Sequence, residues 1–586
     1  MKKNLTRFTL VTILCITVIF QLGCVSTPYR FAVTNPNIVE TDKGLLVARV
    51  IDTTQDAIPI NYLIISADNV NADPKLKSLN INSLYGGFNP SRVFASMVEP
   101  GEYSLDFLKG AIVDSRYYYE LVIKPKMPLG TFSVKPGHIT DLGTLIVYRK
   151  IEGDRYFDDI IRMDNSPNLE VLKSHYEFNN EDIKTLSWHE TGGEEENFTH
   201  YVSLLQNPIR YSKYYSSFNK TLYLYTDLGV LFSYNSKDGL IMDALDTHLQ
   251  LTDLKVNNKG DLFVGGQEGD VFWKEYKKNW KKTSLPEKCY IEKIVINPDG
   301  LPDVITSRND QLIIYRATLK DNNIQWLRIN QFINGTSWEK SQLPEKSDNR
   351  KYISNIHKGL KSNKGIFTVD TFDIDGQSYI AIDTFIKRWS PTLTKKTRHY
   401  FAYDPKNWMI YSKLDTPDFI RPINAGNLNL GLKTKFVNKK SLLPIYSFYR
   451  KQGDQWNPLE TKINNCEDSD SSPSLCKKLI TKRGKPIGAF SFASTPWFLD
   501  ENNGVAAARF KVINHIKDHA IYVVETSDGG RSWSLTSKEL PSEYCYNFVS
   551  EHKESLIVGC NGFSSDIYES KNLAENWNYI KQHQTY

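Results

Sequence analysis

Between Arg30 and Lys150 short apolar runs alternate with turn residues. The strings GLLVARVID, INYLIISAD, RVFASMV, GEYSLDFLKG, YYYELVIKP and TFSVKPGHITDLGTLIVYRK are rich in β-branched and aromatic residues. Each is bounded by Gly, Pro, Asn or Asp, so the pattern predicts a run of strands and a β-domain over 30–150.

The texture changes over 151–198. Ser166-Pro167 ahead of NLEVLKSHY reads as an N-cap followed by proline at the first helical position. NNEDIKTLSWHETGGEEENF then mixes a short helical stretch with an acidic loop, giving a partly helical acidic linker. His189, Glu190, Glu194, Glu195, Glu196 and His200 match no helix-based ligand spacing, which favours a solvated linker over a metal site.

From 199 to 586 the apolar pattern repeats itself. LKVNNKGDLFVGG, from Leu254, aligns with IVINPDGLPDVIT, from Ile294, and sets Gly260 and Gly300 at matching positions. A second marker is tryptophan followed by Leu-Pro: Trp280 with Leu285-Pro286, Trp338 with Leu343-Pro344, and more loosely Trp533 with Leu540-Pro541. Each unit holds four strands' worth of sequence over about 40–50 residues, the period of a propeller blade. About seven such units fit between 199 and 586. The fold class expected is therefore all-β: an N-terminal β-sandwich, a short helical linker and a roughly seven-bladed β-propeller.

The N-terminus adds a location. Lys2, Lys3 and Arg7 precede an apolar run from Phe8 to Phe20 that is short for a membrane span and reads as an export signal over 1–23. QLGC resembles the lipobox of bacterial lipoproteins, which implies acylation of Cys24 and a lipidated tether over 24–29. Val25, in place of an aspartate, implies sorting to the outer membrane by the same resemblance. Of the 72 basic residues three leave with the leader, and 69 then face 67 acidic ones. That near-neutral balance argues against nucleic acid as partner. The 33 tyrosines belong to a β-rich composition.

The mature chain holds Cys289, Cys466, Cys476, Cys545 and Cys560 besides Cys24. Cys545 and Cys560 flank the polar turn Glu551-His552-Lys553-Glu554 symmetrically, so a hairpin about that turn sets them opposite each other and predicts a disulfide. Cys466 and Cys476 bracket a polar loop that a second disulfide would staple, leaving Cys289 over. No Cys-x-x-Cys or paired-histidine spacing supports the rival metal reading, and no metal or cofactor is expected.

One short element carries the clearest motif. TSDGGRSW, Thr526 to Trp533, matches the Asp-box pattern at Thr526, Asp528, Gly530, Ser532 and Trp533, and SKNLAENW, Ser570 to Trp577, is a worn copy. The chain thus resembles Asp-box (BNR-type) β-propellers, most closely the non-catalytic photosystem-assembly-factor kind. In that family the box joins the outer strands of a blade, with Asp capping the turn, Gly giving the backbone freedom and Trp packing between blades; the resemblance implies a structural box. EPGEYSLDF and FSVKPGHITDLGTLIV resemble prealbumin-like or carboxypeptidase-regulatory-like β-sandwiches. Sialidases are also Asp-box propellers, but their early Arg-Ile-Pro element is absent, and FIRP at Phe419 to Pro422 is the nearest string. DTFDIDGQS, Asp370 to Ser378, reads as a polar turn, with an incomplete calcium loop as the other reading. No catalytic residue is assigned. The expected function is a lipid-anchored envelope binding or assembly scaffold with a protein or glycan partner. The alternative is a sialidase-like glycoside hydrolase or another carbohydrate-active enzyme.

Overall fold

The computed structural model describes residues 42–579 apart from segments of which the longest are 68–78, 164–184, 333–365, 464–489 and 510–520. The leader, Cys24, Cys466, Cys476, Trp577, Trp338 and the Ser166-Pro167 helix start lie outside the described residues.

The central N-terminal strand, Gly44–Asp52, is buried along nearly its whole length, as a run apolar on both faces requires. It pairs antiparallel with Ser91–Val98 and parallel with Ile139–Glu152. A second sheet is built on Ile60–Ala67 and Gly101–Val113. Leu46, Ala48 and Val50 of the first sheet share one core with Leu63, Ile65, Leu105 and Leu108 of the second. The opposite face of the first sheet is apolar too: Ile51, Ile146, Tyr148 and Ile161 pack on Leu204 and Leu228, well outside this domain.

Residues 151–163, expected in the linker, instead continue this domain. Ile139–Glu152 turns back into Arg155–Met163, a hairpin in register from Thr144↔Met163 to Glu152↔Arg155. Ile160 and Ile161 are buried, and that apolar pair is what the acidic reading of the region overlooked. Thr185–Leu186 adds a short parallel strand to the same edge. The acidic Glu194-Glu195-Glu196 run, expected in a loop, instead begins helix α1, Glu194–Gln206.

Among the described residues seven antiparallel sheets follow, each made of strands consecutive in the chain. Numbered in chain order, sheets 1 to 7 span 211–244, 251–284, 290–332, 366–413, 421–458, 491–539 and 545–579. The first strands of neighbouring sheets lie side by side from sheet 1 to sheet 5. Sheet 5 meets sheet 6 through Leu430 and Phe448 against Phe492 and Trp533. The last sheet meets the first: Leu224 and Phe232 share a core with Leu556 and Val558, and Tyr234 Oη donates to Glu569 Oε1 at 2.9 Å. Four-stranded meanders arranged radially with ends in contact make a β-propeller. Its ring is closed by side-chain packing, since every described sheet draws on one continuous stretch of chain.

The repeat seen in the sequence is a turn device. Asn257 Oδ1 accepts from Lys259 N at 2.9 Å and Asp261 N at 2.8 Å. Asn297 Oδ1 repeats this with Asp299 N at 3.0 Å and Leu301 N at 3.1 Å. Gly260 and Gly300 complete the two turns at φ of 87° and 82°, where a side chain would be strained.

Candidate functional site

In the Asp box the side chains of Thr526, Asp528 and Ser532 bond within the turn. Asp528 Oδ1 accepts from Arg531 N and Ser532 N, both at 3.0 Å, and from Thr526 Oγ1 at 2.8 Å. Its Oδ2 accepts from Ser532 Oγ at 2.6 Å. Thr526 Oγ1 in turn accepts from Gly530 N at 2.9 Å. Partial burial would raise the Asp528 carboxyl, but the bonds from Ser532, Thr526 and Arg531 outweigh it and hold the group below the usual carboxylate range. Trp533 is 1% exposed and sits edge-on to Phe492, with centroids 5.5 Å apart. Trp533 N also donates to Lys462 O at 3.3 Å, across the junction with sheet 5. Asp528 thus accepts four hydrogen bonds from its own turn. Ser570, from the worn copy, is fully buried at the end of Ile567–Ser570.

The axial side of the ring is polar, and its charges answer one another. The first strands of sheets 2, 3 and 4 each carry a register shift, between Leu251/Asp253, Ile291/Lys293 and Ile366/Thr368. Such bulges re-aim successive side chains. Lys293 Nζ lies 3.6 Å from Asp253 Oδ1 and 3.4 Å from Asp370 Oδ1, so one ammonium bridges three sheets. Asp253 Oδ2 also accepts from Ile294 N at 2.7 Å. The DTFDIDGQS segment is a hairpin, with Ile374 opposite Gln377, and Asp370 is spent on Lys293. Burial depresses the Lys255 ammonium even beside Asp253, and its Nζ lies 5.1 Å from the centre of the Tyr214 ring. Nearer the chain entry to sheet 3, burial pushes the Glu292 carboxyl up to about 8 while Ser307 Oγ, donating to it, opposes the rise. Tyr290, raised by the same desolvation, donates to Gln250 Oε1 at 3.2 Å. Tyr290 and Glu292 are thus each bonded to another residue.

The two faces of the ring differ. In an up-and-down meander the second-to-third turns and the sheet-to-sheet links emerge on one face, and the remaining turns on the other. Leu228 and the pair Gln267-Glu268 belong to second-to-third turns, and all three contact the N-terminal domain. Arg49, 3% exposed, pairs with Glu268 and donates to Ser91 Oγ at 3.2 Å. Gln267 Nε2 donates to Ser91 O at 2.7 Å. His248, in the link between sheets 1 and 2, is held below its ordinary value by burial and by Arg49. The N-terminal domain therefore sits on this face over sheets 1 and 2. The opposite face carries the Asn-capped turns and the Asp box.

Sequence reasoning missed the hub between sheets 3 and 4. Asp303, 1% exposed, accepts from Arg316 Nη2 at 2.7 Å, Trp408 Nε1 at 2.7 Å and Asn297 Nδ2 at 3.2 Å. Arg316 Nη2 goes on to Pro405 O at 3.0 Å, and Asn330 Nδ2 donates to Trp408 O at 3.1 Å. The only local signal was an aspartate inside the apolar run LPDVIT.

The backbone of sheet 7 sets Cys545 opposite Cys560. The turn lies one position later than the symmetric centre, between His552 and Ser555, and two register shifts restore the opposition. Cys289 is a buried thiol whose Sγ donates to Glu287 O at 3.3 Å. Among the described residues no group of three or more His, Cys, Asp or Glu is placed to hold a metal ion, and no helix is long and apolar enough to cross a membrane.

No protein-family profile matches the chain, and no curated protein matches its sequence. Solved structures that align with it include the β-propeller domain of Cps50 (Swd1) from Myceliophteria thermophila, at 10% identity over 62% of this chain and 96% of that one, with a TM-score of 0.34. The Neurospora crassa Pan2 WD40 domain aligns at 8% identity over 63% and 90% of the two chains, TM-score 0.31. Domains 1–2 of Drosophila Semaphorin 1a align at 11% identity over 62% and 86%, TM-score 0.32. The assignment of a propeller rests on the strand order and ring closure given above.

Proposed function

We propose that this protein is a lipid-anchored scaffold of the cell envelope, a seven-bladed propeller carrying a β-sandwich on one face and binding a protein or glycan partner with loops of the other. The observation that carries the reading is the asymmetry of the faces. One is occupied over sheets 1 and 2 by the N-terminal domain through Arg49–Glu268 and Gln267–Ser91. The other presents turns held rigid by Asn257, Asn297 and Asp528, with aromatic side chains exposed among them. Preformed loops on a rigid ring suit recognition, because little ordering entropy is lost on binding. The bonds of Asp528 within its own turn and the pairing of Lys293 with Asp253 and Asp370 support binding over hydrolysis.

Anchoring follows from the lipobox-like QLGC, and outer-membrane sorting from Val25. Cys24→Ala is expected to move the protein from the membrane to the soluble fraction; full membrane retention would refute the anchor. Affinity capture from solubilised outer membranes tests the scaffold. A discrete partner, lost when turns of the open face are altered and kept when the Arg49–Glu268 side is altered, is the expected result. Turnover of a glycan substrate would replace the scaffold reading with the hydrolase.

A further inference from the structure

Three turns on the open face meet around Gly260. Phe218 comes from the first turn of sheet 1, Gly260 from the first turn of sheet 2, and Tyr276 from the last turn of sheet 2. A methyl group built on Gly260 would lie 2.7 Å from Phe218 Cε1 and 3.2 Å from Tyr276 Cδ2, so the two rings flank the same glycine. Both aromatic residues are 53% exposed, and they adjoin each other across the glycine. The turns are fixed to each other beneath the rings. Asp261 Oδ1 accepts from Tyr276 N at 3.1 Å, and its Oδ2 accepts from Asn257 Nδ2 at 3.0 Å. Asn219 Nδ2 donates to Tyr223 Oη at 2.7 Å and steadies the Phe218 turn.

Lysines surround the pair. Lys220, Lys259 and Lys277 are all exposed, and no ion pair to any of them occurs among the described residues. Lys277 Nζ lies 5.2 Å from the centre of the Tyr276 ring. Two carboxylates of these turns are already engaged: Asp261 by Asn257 Nδ2 and Tyr276 N, Glu275 by Lys278 and Lys281. The patch is therefore net positive, rigid and aromatic.

We infer that this patch is a binding site for an acidic saccharide, a sugar bearing carboxylate or phosphate groups. The inference deepens the scaffold reading and rests on it. Two exposed rings offer flat apolar faces on which the C–H face of a pyranose stacks, and three unpaired ammonium groups supply point charges for its anionic substituents. A protein partner of ordinary affinity would need roughly 800 Å² of surface with a dry apolar centre, where lysine is depleted. Here lysines adjoin the rings directly, and none of the residues named is aliphatic.

The test uses the detergent-solubilised full-length protein and calorimetric titration with oligogalacturonate, its methyl-esterified neutral form, and a phosphorylated mannose oligosaccharide. Saturable binding of at least one acidic sugar is expected, weaker by about tenfold or more for the neutral ester, where a tenfold change is 1.4 kcal/mol. Phe218→Ala/Tyr276→Ala and Lys259→Glu/Lys277→Glu are each expected to weaken it by about tenfold or more. Their melting temperatures should be unchanged, because the side chains lie at the surface. The carboxylate and phosphate arms show which anion is preferred. Equal affinity for acid and ester, unchanged affinity in both double variants, or no binding of either acidic sugar would overturn the site. Polyglutamate bound more tightly with the same residue dependence would reassign the patch to an acidic protein surface. Capture of a partner by other turns of this face would leave the scaffold standing while this site fell.

Discussion

Asp303→Ala should be among the most damaging single substitutions in the ring. The side chain is 1% exposed and ties Arg316 and Asn297 of sheet 3 to Trp408 of sheet 4. Removing one member of a buried ion pair typically costs about 3–5 kcal/mol. Arg316 is 21% exposed and keeps the carbonyls of Pro405 and Lys406, so its share falls towards the low end. Trp408 is less fortunate: its indole N–H, in a side chain 1% exposed, would lose its acceptor, which costs about 1–3 kcal/mol. A total of roughly 4–6 kcal/mol follows for the junction of sheets 3 and 4. Urea unfolding read by tryptophan fluorescence measures it. Trp408→Phe removes the donor while retaining the stack on Tyr403, whose centroid is 4.4 Å away. The double variant should therefore be less than additive, by about 1–2 kcal/mol. A loss below about 0.5 kcal/mol for Asp303→Ala, the level of an ordinary surface substitution, would refute the hub, as would strict additivity with Trp408→Phe.

Asp528→Ala should lower stability by roughly 1–3 kcal/mol through the lost turn bonds while leaving partner binding intact below the melting point; unchanged melting with abolished binding would show that the box is a site. Glu292 works in the other direction. Its folded value of about 8 stands above the ordinary 4.5, so its contribution is fully present below about pH 4.5 and is lost as pH rises towards 8. Glu292→Gln should flatten the stability profile across that window and exceed the parent at pH 8; an unaltered profile would refute the assignment. Peptide mapping without reductant should find Cys545 linked to Cys560, whereas alkylation of both thiols would show that the opposed backbones are not bridged.

The turn chemistry was legible in the sequence because its interactions are local. Asn257, Asn297 and Asp528 cap amides two to four residues away, and Gly260 and Gly300, which marked the repeat, sit in the same turn of successive sheets. Turn signals between short apolar runs likewise identified strands, and the period of the repeat grouped them in fours. The hairpin over 151–163 escaped because charged residues surround Ile160-Ile161 and only the fold shows what that pair packs against.

The rest was decided by which distant segments the ring brings together. Tyr234 and Glu569, which link the first sheet to the last, are separated by 335 positions, Arg49 and Glu268 by 219, and Asp303 and Trp408 by 105. Lys293 finds Asp253 and Asp370 because bulged strands of three sheets converge on one axis. Phe218 and Tyr276 lie in turns of different sheets, and each alone is an unremarkable surface aromatic. A local pattern encodes the conformation of a few residues. The partner of a buried charge and the neighbours of an exposed ring depend on curvature and closure, which exist only once the sheets have packed.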